Sequence, residues 1–185
     1  MKVSREQAAQ NRERILDAAA RLFRERGFDG IGVADLMKSA GLTHGGFYGQ
    51  FESKEDLAAQ ACVRALGQSV ERWDRLIAEK EDPLQAIAAS YLSTRHRDDP
   101  ANGCAISTLG AEAPRRGPAV RRAFTEGLRP LLDRLMQIVP GRAKETRRLK
   151  ALATMSQLVG AMVLARAVDD PTLSNEILHA VRTSL

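Results

Sequence analysis

VADLMKSAGLTHGGFYGQF, residues 33–51, decides the fold. Residues 33–40 have the spacing of a short helix with Leu36 and Met37 on the inward side. Gly41 and Leu42 make a turn, and Gly41 supplies the positive φ that so tight a turn demands. Thr43 is placed to cap a second short helix over residues 44–50, because its hydroxyl can accept an orphan backbone N–H. Gly45, Gly46 and Gly49 each cost that helix about 1 kcal/mol relative to alanine, so its neighbours must hold it. Leu36, Leu42 and Phe47 face inward, and Ala34 or Ala40 is small enough for the crossing. Two short helices across a glycine turn make a helix-turn-helix. Its glycines let backbone come close to another surface, such as a DNA groove.

The flanking segments brace this unit. Residues 5–26 read as an amphipathic helix with Ile15, Ala19, Leu22 and Phe23 on one face and Arg12, Arg14, Arg21 and Arg24 largely elsewhere. Gly27 fits its C-cap, and Phe28 can then fold back onto the apolar face. Downstream, Phe51 anchors the next helix. Ser53 is an N-cap with an acid, Asp56, three residues on, and opens a helix to residue 79. Leu57, Ala61, Leu66, Val70, Trp73 and Ile77 form its inward stripe. Further helices are predicted over residues 83–94, 104–112, 118–139, 143–168 and 171–183. Pro118 and Pro171 sit in first turns, and Pro130 is expected to kink its helix.

GLTHGGFYGQFESKEDL, residues 41–57, resembles the DNA-binding signature of the tetracycline-repressor-type (TetR/AcrR) regulators, and the resemblance extends over about residues 12–61. It implies a DNA-binding head and a helical ligand-binding, dimerising body, which we divide at residues 1–53 and 54–185. Placed residue by residue, it implies that Thr43 caps the recognition helix and touches a phosphate, and that His44 and Gly45 face base edges. Tyr48 would give its hydroxyl to a phosphate. Lys54 would neutralise one with help from its helix dipole, and Gln50 would reach a phosphate or a base edge. Two positions depart from the family pattern. Gly32 stands where a phosphate-binding threonine is common, and Gly49 where a longer, often basic, side chain is. Both imply fewer phosphate contacts and a shallower salt dependence. Arg5, Arg12 and Arg14 are candidates for added backbone contacts.

Composition agrees with a helical protein. The chain has 185 residues, 44% hydrophobic and 28% charged, but only 4% aromatic, a mix that favours helix over sheet. The net charge of +5 permits a polyanionic partner without requiring one. Residues 1–60 carry nine Lys/Arg and nine Asp/Glu, so any positive face must come from arrangement. Two cysteines, Cys62 and Cys104, exclude a disulfide scaffold and a four-cysteine zinc site. The first residues lack the apolar run of a secretory signal, and residues 151–168 are too polar for a membrane span. The expectation is a cytoplasmic protein without a membrane partner.

The rest of the chain invites three further readings. Residues 151–168 are apolar nearly all round and residues 171–183 carry an apolar stripe. Together they are expected to form a four-helix dimer interface through Met155, Val159, Met162, Val163, Leu173, Ile177 and Val181, or else to complete the monomer's own core. A pocket for an unidentified small-molecule effector is expected among Trp73, Tyr91, Cys104, Phe124, Met155, Gln157 and Met162, each of which also suits ordinary core. Cys104, after Asn102-Gly103 at a helix start, is either a small buried hydrophobe or a thiol whose reactivity a helix N-terminus raises, as in similar regulators that sense oxidants or electrophiles. The function expected is therefore a homodimeric repressor that binds a palindromic operator in double-stranded DNA and is released by a small molecule. The rivals are a helical adaptor that has lost DNA binding and a metal-dependent enzyme using His96, Asp98 and Asp99. No glycine-rich nucleotide loop, GxSxG elbow or HExxH pair supports an enzyme, and no cofactor is expected.

Overall fold

Ser4 starts the first helix by accepting the Gln7 N–H at 3.1 Å on its hydroxyl. The structure is a computed structural model that describes residues 4–185, so the first three residues of the stretch read above for a signal lie outside it. Helix α1 (Arg5–Arg26) ends at Gly27, whose φ of 76° is strained for any residue with a Cβ. A Cβ there would also sit 2.6 Å from a Glu112 carboxylate oxygen. Phe28 does fold back: its ring is buried 5.4 Å from Phe23.

Helix α2 (Val33–Ser39) turns at Gly41, φ 69°. Of the two small residues, Ala40 is buried at the crossing and Ala34 is exposed. The segment expected as a second helix over residues 44–50 is instead a single 3-10 turn, His44–Gly46. It continues as turns in which Phe47 N–H donates to His44 O and Gln50 and Phe51 N–H donate to Phe47 O. Three glycines within six residues leave too little helix propensity for a regular helix. Phe47, wholly buried, and Phe51 hold the turn in place, 5.8 Å apart.

Helix α3 (Lys54–Glu79) starts from Ser53, which accepts the Asp56 N–H at 3.1 Å. The Asp56 carboxylate accepts the Glu52 N–H at 3.2 Å, a variant of the capping box. This helix packs on α1 and also runs along α7 (Pro118–Ile138), so it is shared by head and body. Gly127 allows that second contact, since a Cβ there would press on the Leu66 side chain.

The helix expected over residues 83–94 ends early as α4 (Pro83–Tyr91), and a separate α5 (Thr94–Asp98), not expected, begins where Ser93 caps a new start with its hydroxyl on the His96 N–H. A turn at Pro100–Asn102 leads to α6 (Ala105–Leu109), shorter than expected. Helix α7 continues through Pro130, and α8 (Lys144–Ala167) and α9 (Pro171–Ser184) close the body. Among the described residues there is no strand, and no helix is long and apolar enough to cross a membrane.

Candidate nucleic-acid interface

The apex of the head is built from one buried residue and its exposed neighbours. Phe47 is fully buried, whereas Thr43, His44, Gly45 and Tyr48 are exposed around it, Tyr48 by 70%. The His44 and Tyr48 rings meet edge to face at 6.4 Å. Tyr48 is therefore not part of the core that Phe47 anchors. Thr43 occupies the N-cap position, but its side chain makes no capping bond, because the turn after it closes through the Thr43 carbonyl. Lys54 is half-buried at the first position of α3, and Gln50 is half-buried. A Cβ on Gly32 or on Gly45 would meet nothing within 4 Å, so backbone lies open at both.

The arginines divide. Arg5 and Arg14 are exposed, with the Arg14 guanidinium lying over Gly41. Arg12 is not available as a surface contact. It donates to Gln50 O and, at 2.6 Å, to the Gln60 side chain, and its guanidinium stacks 4.4 Å from the centre of the Phe51 ring. It is an internal strut that ties α1 to the turn after Phe47. Arg24, expected off the apolar face, is buried there, where it donates to Ala20 O and to Gly103 O, both at 2.8 Å. Burial lowers its pKa, the nearby Cys104 opposing this.

Two seams join head to body. In one, Arg24 holds Gly103, and Arg72 of α3 donates to Asn102 O at 3.1 Å. In the other, the segment between α6 and α7 clasps the loop after α1. Glu112 accepts the Phe28 N–H at 2.9 Å, Arg116 pairs with Asp29 at 2.5 Å, and Glu55 accepts the Gly117 N–H at 2.7 Å.

Beside the first seam, which shares Arg72 and Asn102 with it, the body has a cleft. A chamber of about 20 Å³ is lined by Ser69, Trp73, Tyr91 and Cys104, and through Arg72, Ser90 and His96 it adjoins an open cleft of about 450 Å³. The cleft therefore brings together three of the expected pocket residues, Trp73, Tyr91 and Cys104. Phe124 is half-buried, Met155 and Met162 are buried and Gln157 is exposed, and none of these four lines it. Sequence reasoning missed Arg72, Ser90 and His96 as lining. The only available signal was that Arg72 precedes Trp73 on α3 while Ser90 precedes Tyr91 on α4.

His96 is a structural histidine. Its Nδ1–H donates to Tyr91 O at 2.6 Å, and its Nε2 accepts the Cys104 N–H at 2.9 Å. Burial pulls its pKa down to about 4, the bond to Tyr91 opposing this, so the ring is neutral at pH 7. With both nitrogens engaged it has none to offer a metal. Asp98 is paired with Arg97 at 2.7 Å, and Asp99 accepts from Asn102. Among the described residues no three His, Cys, Asp or Glu side chains are grouped to hold an ion. The metal-site reading is corrected by these partners. Cys62 and Cys104 are both buried free thiols, and burial pushes the Cys62 pKa up to about 12.

Of the expected dimer residues, Met155 and Met162 point into the monomer's own core, Met162 completely. They sit on the side of α8 that carries Ala151, Leu158 and Ala165. Val163 and Leu173 are exposed, and Val159, Ile177 and Val181 are half-buried. Leu149, Leu152 and Leu164 add further exposed apolar surface on α8.

A family model described as bacterial regulatory proteins, tetR family, matches residues 15–61. An uncharacterized HTH-type transcriptional regulator of Mycobacterium tuberculosis is 31% identical over 188 residues, covering 94% of this chain and 93% of that protein. The HTH-type transcriptional repressor NemR of Escherichia coli is 28% identical over 130 residues, 68% of this chain, and the aligned stretch spans only 65% of NemR. The crystal structure of reduced E. coli NemR superposes with a TM-score of 0.77 at 24% identity, over 95% of this chain and 94% of that one. The structure of FadR from Bacillus subtilis in complex with stearoyl-CoA does so with a TM-score of 0.63 at 23% identity, over 94% and 98%.

Proposed function

This chain belongs to the TetR family of bacterial regulatory proteins, and from that premise we propose that it is a DNA-binding transcriptional repressor working as a homodimer. The observation that carries the reading is the apex: Tyr48, His44 and Thr43 exposed around a buried Phe47, with open backbone at Gly45. In this reading residues 1–53 form the head. The apex enters the major groove, His44 and Gly45 meet base edges, and Thr43, Tyr48 and Lys54 hold phosphates, with Gln50 at the edge of the contact. Residues 54–185 form the dimerising, effector-binding body.

The exposed apolar side chains of α8 and α9 (Val163 and Leu173 with Leu149, Leu152 and Leu164) are the surface a second copy would cover, flanked by Val159, Ile177 and Val181. Such a dimer sets two heads about one helical turn apart, ~34 Å or somewhat more, for a palindromic operator. The cleft at Trp73, Tyr91 and Cys104 is the effector site, and its walls connect to α1 through the Arg24 to Gly103 bond. FadR, whose structure holds stearoyl-CoA, has the same fold, which supports a body that takes a ligand. An effector acts by preferring the dimer geometry in which the heads are mis-spaced.

Cys104 lines the chamber, so an oxidant or electrophile that enters meets its thiol there. Hydrogen peroxide, close to a water in size, is then expected to release the wild type from DNA and to leave Cys104→Ser bound; equal release of both removes the cysteine from the mechanism. Duplex binding across a salt series tests the regulator as a whole, because a helical adaptor or an enzyme would show no steep salt dependence.

A further inference from the structure

The two ends of the body's cleft differ in chemistry. At the deep end, the chamber beside Trp73 has room for about one water-sized group. Tyr91 lines it, and the Tyr91 hydroxyl is fully buried with no hydrogen-bond partner. Buried hydroxyls are normally paired, so this donor lacks an acceptor. The Cys104 and Ser107 side chains lie against it without making a hydrogen bond, and the Nε2 of His96 already accepts from the Cys104 N–H.

At the mouth, the cleft of about 450 Å³ falls within the roughly 300–1,000 Å³ typical of small-molecule sites. It is lined by two guanidinium groups and one carboxylate. That carboxylate, Asp99, is turned to Asn102, whose side-chain amide donates to it at 2.9 and 3.2 Å and whose backbone N–H donates at 3.2 Å. Arg95 has no ion-pair partner among the described residues, and Arg72 bonds only to Asn102 O. Arg24 adds a further buried positive charge behind Gly103. The mouth thus carries two guanidinium groups, and the deep end, past Arg72, carries a hydroxyl donor that makes no hydrogen bond.

We propose that the cleft binds a small organic acid with a carboxylate at one end and an uncharged hydrogen-bond acceptor at the other. The carboxylate lies between Arg72 and Arg95, and the acceptor, a ketone or similar oxygen, takes the Tyr91 O–H. Guanidinium groups suit a carboxylate because their donors match its two oxygens. This names the chemical class of the effector, and it rests on the regulator reading only for the consequence at the head. A carboxylate competes with Asn102 O for Arg72. That loosens the seam in which Asn102 and Gly103 are held by α3 and α1.

The test uses the full-length protein and oxo-acids of increasing length: pyruvate, 4-oxopentanoate and 4-acetylbenzoate. Each is compared by calorimetry with its primary amide, and 4-oxopentanoate also with pentanoate. At least one oxo-acid is expected to bind at millimolar concentration or below, and at least tenfold more tightly than its amide. Arg95→Gln, at an exposed side chain without an ion pair, should abolish the preference for acid over amide. Tyr91→Phe should abolish the preference for 4-oxopentanoate over pentanoate. Equal binding of acids and amides overturns the proposal, as does no binding of any acid at 10 mM to protein that remains folded. Duplex binding by the same ligand-free sample separates the two readings. If duplex binds and no acid does, only the ligand class is wrong. If an acid binds with the expected preferences and no duplex does, the site stands and the regulator reading falls.

Discussion

Tyr48 is water-exposed beside a residue that is wholly buried, and in the proposed reading that contrast within one peptide bond separates a side chain used for contact from one used for support. Tyr48→Phe and Lys54→Ala are each expected to weaken binding to all duplexes alike, by about ten- to a hundredfold, the scale of a hydrogen bond to a charged group. Lys54→Ala should also lower the salt slope by about 1. His44→Ala should instead change which sequences are preferred. Fluorescence anisotropy on a panel of duplexes distinguishes the two patterns, and unchanged binding by Lys54→Ala across salt removes its phosphate role. His96 gives a pH dependence of defined sign. Its folded pKa of about 4 lies below its ordinary 6.5, so protonation favours the unfolded chain. Its contribution is present above pH 6.5 and is lost as pH falls toward 4, of the order of 3 kcal/mol in all. Urea midpoints at pH 7.5 and 5 should show that loss, and His96→Gln should flatten it; an equal slope in the variant would assign it to other groups. At this scale the inward side of Phe47, between the exposed His44 and Tyr48, was legible from the motif. Arg12 was not, because its partners Gln50 and Gln60 lie 38 and 48 residues away. Arg24 carried a signal that was passed over: it falls at the spacing of Leu16 and Ala20, the face that becomes core.

The element that departs most from expectation is the recognition segment. Its glycines reduce a helix to a 3-10 turn, and buried Phe47 and Phe51 fix that turn from one side. Gly45 separates stability from contact, since a Cβ there meets nothing in the free protein. Gly45→Ala is expected to hold or slightly raise the thermal midpoint, because alanine is favoured over glycine by up to about 1 kcal/mol, while it weakens duplex binding at least tenfold. A loss of stability without loss of binding would place Gly45 in the fold rather than the interface. The ends of α1 and α3 were readable because Ser4, Gly27 and Ser53 are local signals that act within a few residues. The early end of α4 and the start of α5 were not expected, although Ser93 is a cap of the same kind. The helical pattern on either side hid them, and the break is held by His96 reaching back to Tyr91.

For the molecule as a whole, α3 is the member common to head and body, and two seams, Arg24 and Arg72 on residues 102–103 and Glu112 and Arg116 on residues 28–29, fasten the head at separate points. No sequence pattern announces such seams, because each joins residues 30 to 87 positions apart, at least one of them in a segment that has no periodicity. The outward face of α8 was only half legible. Val163 and Leu173 are exposed as expected, but Met155 and Met162 turn inward, since a helix apolar all round gives no phase by which to tell its two sides apart. The most direct test of the account is sedimentation and anisotropy on duplexes selected from a random pool, from 50 to 300 mM salt, for the wild type and Val163→Asp. The account predicts two chains per palindromic duplex, affinity falling steeply with salt, and a monomeric variant that binds the same duplex at least a hundredfold more weakly. A wild-type chain that binds no duplex at 50 mM salt would contradict it.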